Sequence, residues 1–350
     1  MHGFESGVPW AVGVGLAALV AAMILHLLSR ALTRSRNERQ ADLDAHVMAT
    51  LQSADQPTGD LEARLRRAPH AIARRSLVRA IRALGDDALP RITQIYDALG
   101  FGEVAARELR AFSWTRRAEA AMEFGALRRA DAAADCMRML RDRRPEMRLA
   151  AARALSDMAA PGALRAILEG IPQATRWAIS DTVELAHRFG EAGVPELHGT
   201  LSESTNRSAR LGALEAIGEI QHADSLPILE AHLADKDVDV RAYATRAIGR
   251  IGGDAAVPLL VRSLRDSAWE VRAVAARALA PVRDPDALEA LQAALADASW
   301  WVRLNAAESI AAQEAEGADT LRRTLASQDK FARDIATQML ERLQSREAAP

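Results

Sequence analysis

The stretch DSAWEVRAVAARALAPVR at residues 266–283 decides the fold, because two others align with it without a gap. They are DKDVDVRAYATRAIGRIG at 235–252 and DASWWVRLNAAESIAAQE at 297–314. The Asp recurs at 235, 266 and 297, and the Val-Arg pair at Val240-Arg241, Val271-Arg272 and Val302-Arg303, a period of 31 residues. A fixed period of this length is the signature of stacked helical units, each unable to bury its apolar face alone. Three residues after the marker Arg comes a small one (Ala213, Ala244, Ala275, Ala306), and seven after it an aliphatic one (Ile217, Ile248, Leu279, Ile310). Those offsets share one helix face. A second helix follows in each unit, with Leu226-Leu229-Leu233, Val257-Leu260-Leu264 and Leu288-Leu291-Leu295.

Working outward, the marker Arg falls at Arg210, Arg176, Arg148, Arg117 and Arg75 upstream and at Arg333 downstream. The chain therefore reads as all-α, an α-solenoid of about 8–9 two-helix repeats over residues 61–345. Asp235, Asp266 and Asp297 stand just before each new helix, where a carboxylate accepts orphan amide protons and suits the helix dipole. The repeated Asp and Arg read as a structural ladder between neighbouring units.

These residues resemble the HEAT-like repeats of the phycobilisome-lyase type, whose units carry D-x-x-x-x-V-R followed by A-x-x-A-L. The resemblance is strong from Ser208 to Ala312 and weaker before Arg148. It implies a fold and says little of function. Enzymes of related folds imply their own residues. The di-iron hydroxylase type needs His-Glu dyads, and none of the eight His here is followed by Glu. The alkylpurine DNA glycosylase type implies a basic groove with Trp and a catalytic Asp, which the acidic distal half does not match. A bilin lyase or isomerase is the alternative the resemblance leaves open. No phosphate-binding loop, G-x-S-x-G or C-x-x-C is present. The expectation is a non-enzyme with no cofactor, no metal and no nucleic-acid ligand.

Ahead of the repeats, Val8 to Leu28 is a run of 21 residues without Asp, Glu, Lys or Arg. At about 1.5 Å per residue it is long enough for a bilayer core of about 30 Å. Arg30, Arg34, Arg36 and Arg39 follow it and no Lys or Arg precedes it. The positive-inside rule then puts residues 1–7 outside and the repeats in the cytoplasm. Residues 29–60 read as a juxtamembrane helix and linker, the latter being SADQPTGD at 53–60. His26 reads as an interfacial histidine and Cys136, the single cysteine, as a buried small hydrophobe.

Net charge is −2, unevenly spread: residues 61–160 hold 20 Arg against 13 Asp and Glu, and residues 161–350 hold 21 Lys and Arg against 28. Arg64, Arg66, Arg67, Arg74 and Arg75 in the first repeats are candidates for an anionic membrane surface. Trp114, Trp269 and Trp300 each lie three residues before a marker Arg, and Trp301 sits where other units are charged. The plainer reading of the first three is packing between units. The functional one is a rim at Trp269, Trp300 and Trp301 that binds a protein partner. Together these features point to a membrane-anchored scaffold at the cytoplasmic face of the inner membrane, with membrane-associated partners such as an envelope polysaccharide or signalling assembly.

Overall fold

The computed structural model describes residues 23, 26, 30, 38–53, 56–170 and 184–347. Most of the apolar run from Val8 to Leu28, and Arg176 with Trp177, lie outside them. Among the described residues no helix is long and apolar enough to cross a membrane. Every regular element described is helical. The chain divides into two compact units, 1–132 and 133–350.

In the second unit the described helices fall into two alternating sets, here A and B. The A helices are Pro145–Asp157, Arg207–Ile220, Val238–Ile251, Trp269–Ala278, Trp300–Ala311 and Lys330–Glu347. The B helices are Ala163–Gly170, Val194–Glu203, Leu226–His232, Val257–Ser263, Pro285–Ala294 and Glu314–Thr324. Sequence chemistry sets the boundaries. Asn206, Asp237 and Asp284 accept amide protons at N-caps, and proline opens several B helices, where a missing N–H costs nothing. From Arg207 onward, consecutive A helices pack directly on one another.

The repeat positions predicted for the core are there. Ala213, Ala244, Ala275 and Ala306 are fully buried, as are Ile217, Ile248, Leu279 and Ile310. Leu229, Leu260 and Leu291 fill the matching places on the B helices. Small residues let the A helices approach closely: a Cβ on Gly249 would stand 2.5 Å from that of Ala278. Cys136 is buried, and burial pushes its thiol up to about 11.

The first unit is built differently. A helix at 38–52 is followed by Gly59–Arg67, His70–Leu84, Leu89–Ala98, Phe101–Glu108 and Trp114–Ala126. Its core joins Val47 and Leu51 to Leu61, Leu65, Leu77 and Ile92. The expected boundary at residue 60 therefore moves: the helix at 38–52 belongs to the same hydrophobic core as residues 61–101. Within the expected linker, Ser53 and Gln56 are held in place. Arg91 donates to the carbonyls of Thr50 (3.3 Å), Ser53 (2.6 Å) and Gln56, tying the connection down.

Candidate functional site

The ladder accounts for most of the marker arginines. Arg241 grips Asp266 of the next repeat with two parallel bonds, Nε to Oδ2 at 2.8 Å and Nη2 to Oδ1 at 2.9 Å. Arg272 does the same to Asp297 at 2.6 and 2.8 Å, and Arg210 pairs with Asp235. The third nitrogen, Nη1, turns back to the loop carbonyl six residues earlier: Arg241 to Asp235, Arg272 to Asp266 and Arg303 to Asp297. Arg333, Arg148 and Arg117 repeat that loop bond to Ser327, Asp142 and Ala111. One guanidinium thus closes its own loop and grips the next unit.

Burial pushes the carboxyls of Asp235, Asp266 and Asp297 up, but arginine and backbone amides outweigh it and hold them below the ordinary 3.8. The hydrogen bonds they donate to Asp266 and Asp297 raise Arg241 and Arg272. The amides these carboxylates accept belong to Asp237, Ala268 and Ser299, at 2.7–2.8 Å. Those are the residues just before the helices, so the ladder Asp organises the loop and does not cap the helix itself, a correction to the expected capping.

Arg75 is not a marker: its Nε bonds only the carbonyl of Ala71 in its own helix. Its neighbour Arg74 alone drops out of the expected membrane-facing set. Arg74 is 2% exposed and pairs with Glu123 (Nε to Oε2, 3.0 Å) and with Glu108. Tyr96 donates its hydroxyl to Glu123 at 2.9 Å. Burial pushes the Glu123 carboxyl up against the pull of Arg74, and burial with the Glu123 charge raises Tyr96 far above its ordinary range. A buried, paired guanidinium cannot meet a lipid headgroup. Arg64, Arg66, Arg67 and Arg75 are exposed. Two of them face carboxylates on their own helix, Arg64 to Asp60 at 3.1 Å and Arg66 to Glu62 at 3.8 Å.

Phe112 and Trp114 are exposed in the first unit; the large exposed aromatics described in the second unit gather at the start of the A helices. Trp269, Trp300 and Lys330 open successive A helices, and Trp301 and Phe331 each stand two residues before a marker Arg. Trp269 is 41% exposed, Trp300 47%, Trp301 55% and Phe331 52%. Trp300 and Trp301 meet edge to face, centroids 4.9 Å apart. Three consecutive repeats therefore carry large apolar side chains at the N-terminal tip of the A helix. Packing between repeats, the plainer expectation for Trp269 and Trp300, does not bury them. Phe331 was missed from the sequence. Its signal was the place it shares with Trp301, two residues before Arg.

Other chemistry is sparse. His198 Nε2 lies 2.9 Å from Ser225 Oγ, but Ser225 is fully buried and has no approach for a substrate. Burial and nearby His222 lower His198. Among the described residues no cluster of His, Cys, Asp and Glu is arranged to hold a metal. An open cleft of about 720 Å³ separates Leu226–His232 from Val257–Ser263, lined among others by Leu233, Pro258 and Val261. The Arg262–Glu230 pair (2.9 Å) joins its walls.

A family model described as HEAT repeats matches residues 194–280, 232–311 and 262–341. Residues 194–341 are thus similar to HEAT repeats. The matches take in Asp235, Asp266 and Asp297 with Arg241, Arg272 and Arg303, as well as Trp269, Trp300, Trp301 and Phe331. No curated protein sequence matches the chain. Solved structures similar to it include an engineered protein at 21% identity, covering 87% of this chain and 99% of that one, with a TM-score of 0.37. Human deoxyhypusine hydroxylase in complex with glycerol is 19% identical over 88% of this chain and 99% of its own, TM-score 0.28. The complex of CpcE and CpcF of phycocyanin lyase from Nostoc sp. is 19% identical over 69% and 94%, TM-score 0.30.

Proposed function

We propose that this protein is a non-catalytic, membrane-anchored HEAT-repeat scaffold that holds a protein partner along the edge formed by Trp269, Trp300, Trp301 and Phe331. The observation that carries the reading is the exposure of those four side chains at two adjacent positions that open the A helices of three consecutive repeats. Isolated exposed apolar residues are ordinary, but a row of them on a stiff stack is a docking surface. Aromatic side chains bury large areas at little conformational cost and anchor protein interfaces. The apolar run at Val8–Leu28 and the arginines behind it support a single span with the repeats in the cytoplasm at the inner membrane. A tether of that kind raises the effective concentration of the edge for membrane-associated partners, such as an envelope or signalling assembly.

The test is site-specific photo-crosslinking of the full-length chain in its native membranes. A photoreactive residue at 301 or 331 is expected to give one discrete adduct, and one at exposed Glu341, on the polar side of the last helix, none. Equal labelling from all three positions contradicts a defined edge. Removing residues 1–30 is expected to release the chain from membranes and weaken the adduct. A chain that stays bound refutes the anchor.

A further inference from the structure

The ladder has an open rung. In three repeats the marker arginine meets an Asp of the next unit: Arg241 with Asp266 and Arg272 with Asp297 through the Nε–Nη2 edge, and Arg210 with Asp235 through Nη2. Arg303 repeats their geometry on the loop side, its Nη1 donating to Asp297 (2.7 Å) and Ala298 (3.1 Å). On the far side the next unit offers Ser327. Backbone bonds identify Ser327 as the Asp equivalent: its carbonyl accepts from Arg333 Nη1 at 2.7 Å, and its hydroxyl from the amide of Asp329 at 3.2 Å. The serine hydroxyl satisfies the loop amide, as Asp does elsewhere, but is too short to supply the second carboxylate oxygen. The Arg303 guanidinium stacks instead on the Phe331 ring, 4.5 Å from its centroid. Arg303 is 9% exposed, yet its Nε–Nη2 edge is not sealed in the interior and meets no carboxylate among the described residues. Stacking occupies the face of a guanidinium and leaves its edge free for a bidentate acceptor.

We propose that Arg303 receives a carboxylate from an acidic segment of the protein partner, in the place where an Asp of the next repeat would otherwise stand. This rests on the reading of the aromatic edge as a partner surface and names its chemistry. Trp300 and Trp301 open the helix that carries Arg303, so a side chain flanking the incoming carboxylate lands on them. The nearby acidic groups are already engaged: Asp297 on Arg272, Asp329 on the amide of Ala332 at 2.9 Å. The acidic surplus of residues 161–350 acts through solvent, where screening confines it to about 8–10 Å at physiological salt. The direct bidentate contact outweighs it, because charge-assisted pairs of this geometry are among the strong hydrogen bonds.

The experiment uses the full-length chain in detergent and a capped peptide copying the chain's own rung, Leu264 to Ala268, which has no aromatic residue and one Asp. Calorimetry and tryptophan fluorescence follow its binding. The peptide is expected to bind, and its version with Asn for Asp to bind at least tenfold more weakly. Arg303→Lys, which keeps the charge and loses the fork, is expected to cost a similar factor. Ser327→Asp is expected to close the rung from within, abolishing peptide binding while raising the melting temperature. No binding, equal binding of the Asp and Asn peptides, or undiminished binding to the Ser327→Asp chain overturns the proposal. Crosslinks from position 301 that survive Ser327→Asp leave the aromatic edge standing and discard the carboxylate rung alone.

Discussion

Two regions of one chain place their arginines in opposite ways. In residues 210–297 the marker arginines Arg210, Arg241 and Arg272 are partly buried and each holds a carboxylate one repeat away, so the same contact recurs with the period of the fold. In residues 38–132 one arginine, Arg74, is buried with Glu123, Glu108 and Tyr96 in a cluster that nothing repeats. The first arrangement adds one modest contact per unit and can be extended indefinitely. The second concentrates desolvated charge at a single place, where the loss of one member leaves the others stranded. A periodic contact can also be left open at its end, which is how Arg303 comes to lack a carboxylate among the described residues.

The sharpest way to break this comparison is in the buried cluster. Arg74→Leu is expected to cost about 3–5 kcal/mol, because Glu123 is left buried with its compensating charge gone. Adding Glu123→Leu is expected to recover much of that loss. Denaturant midpoints of the two proteins measure it, and a neutral Arg74→Leu would show that the cluster is not a unit. An effect of similar size is expected for Leu260→Asp or Leu291→Asp, both at core positions of B helices, at about 3–5 kcal/mol. A parent-like midpoint for either would refute the repeat register.

The ladder predicts smaller, additive losses. Asp266→Asn is expected to cost about 1.5–3 kcal/mol, the range for a hydrogen bond to a charged group. It also carries a pH signature. Asp235, Asp266 and Asp297 have folded values below 3.8, so the folded state binds fewer protons than the unfolded chain. Their contribution is complete above 3.8 and disappears as pH falls through the lowered folded values. Melting temperature followed from pH 6 to 2 should drop below pH 4, and less steeply for Asp266→Asn. An identical acid limb would remove the ladder from the stability account. For the basic end, a chain beginning at residue 38 retains the helix that packs into the first core. It should bind anionic vesicles at low salt, and Arg67→Gln with Arg75→Gln should weaken that several-fold. Indifference to anionic lipid would assign the positive charge elsewhere.

The regions also differ in what their sequence discloses. From Asp235 to Ala312 the Asp, Arg, Ala and aliphatic positions recur at fixed offsets, so fold, core and ladder could be read together. The cluster around Arg74 was illegible because Arg, Glu and Tyr at 74, 96, 108 and 123 share no period, and Arg74 is flanked by the exposed Arg75. Alone, Arg74 looks like one more surface charge. The helix at 38–52 was visible, but only the packing of Val47 and Leu51 shows that it belongs to the core. At the aromatic edge the tryptophans stood out by type. Phe331 escaped notice, and the last repeat spans 30 residues from Arg303 to Arg333 where 31 is the rule. A strict count would put Gln328 opposite Arg303, and only the backbone hydrogen bonds place Ser327 there.

The central claim is that the array is held by its core and ladder, while the aromatic edge exists for a partner. Trp300→Ala combined with Trp301→Ala tests it most directly, with thermal melting and crosslinking from position 331 measured on the same protein. Exposed side chains away from a core usually change stability by no more than about 0.5 kcal/mol each. The account predicts a melting temperature within a few degrees of the parent and loss of the partner adduct. A large drop in melting temperature with the adduct retained would make the two tryptophans part of the packing and contradict it.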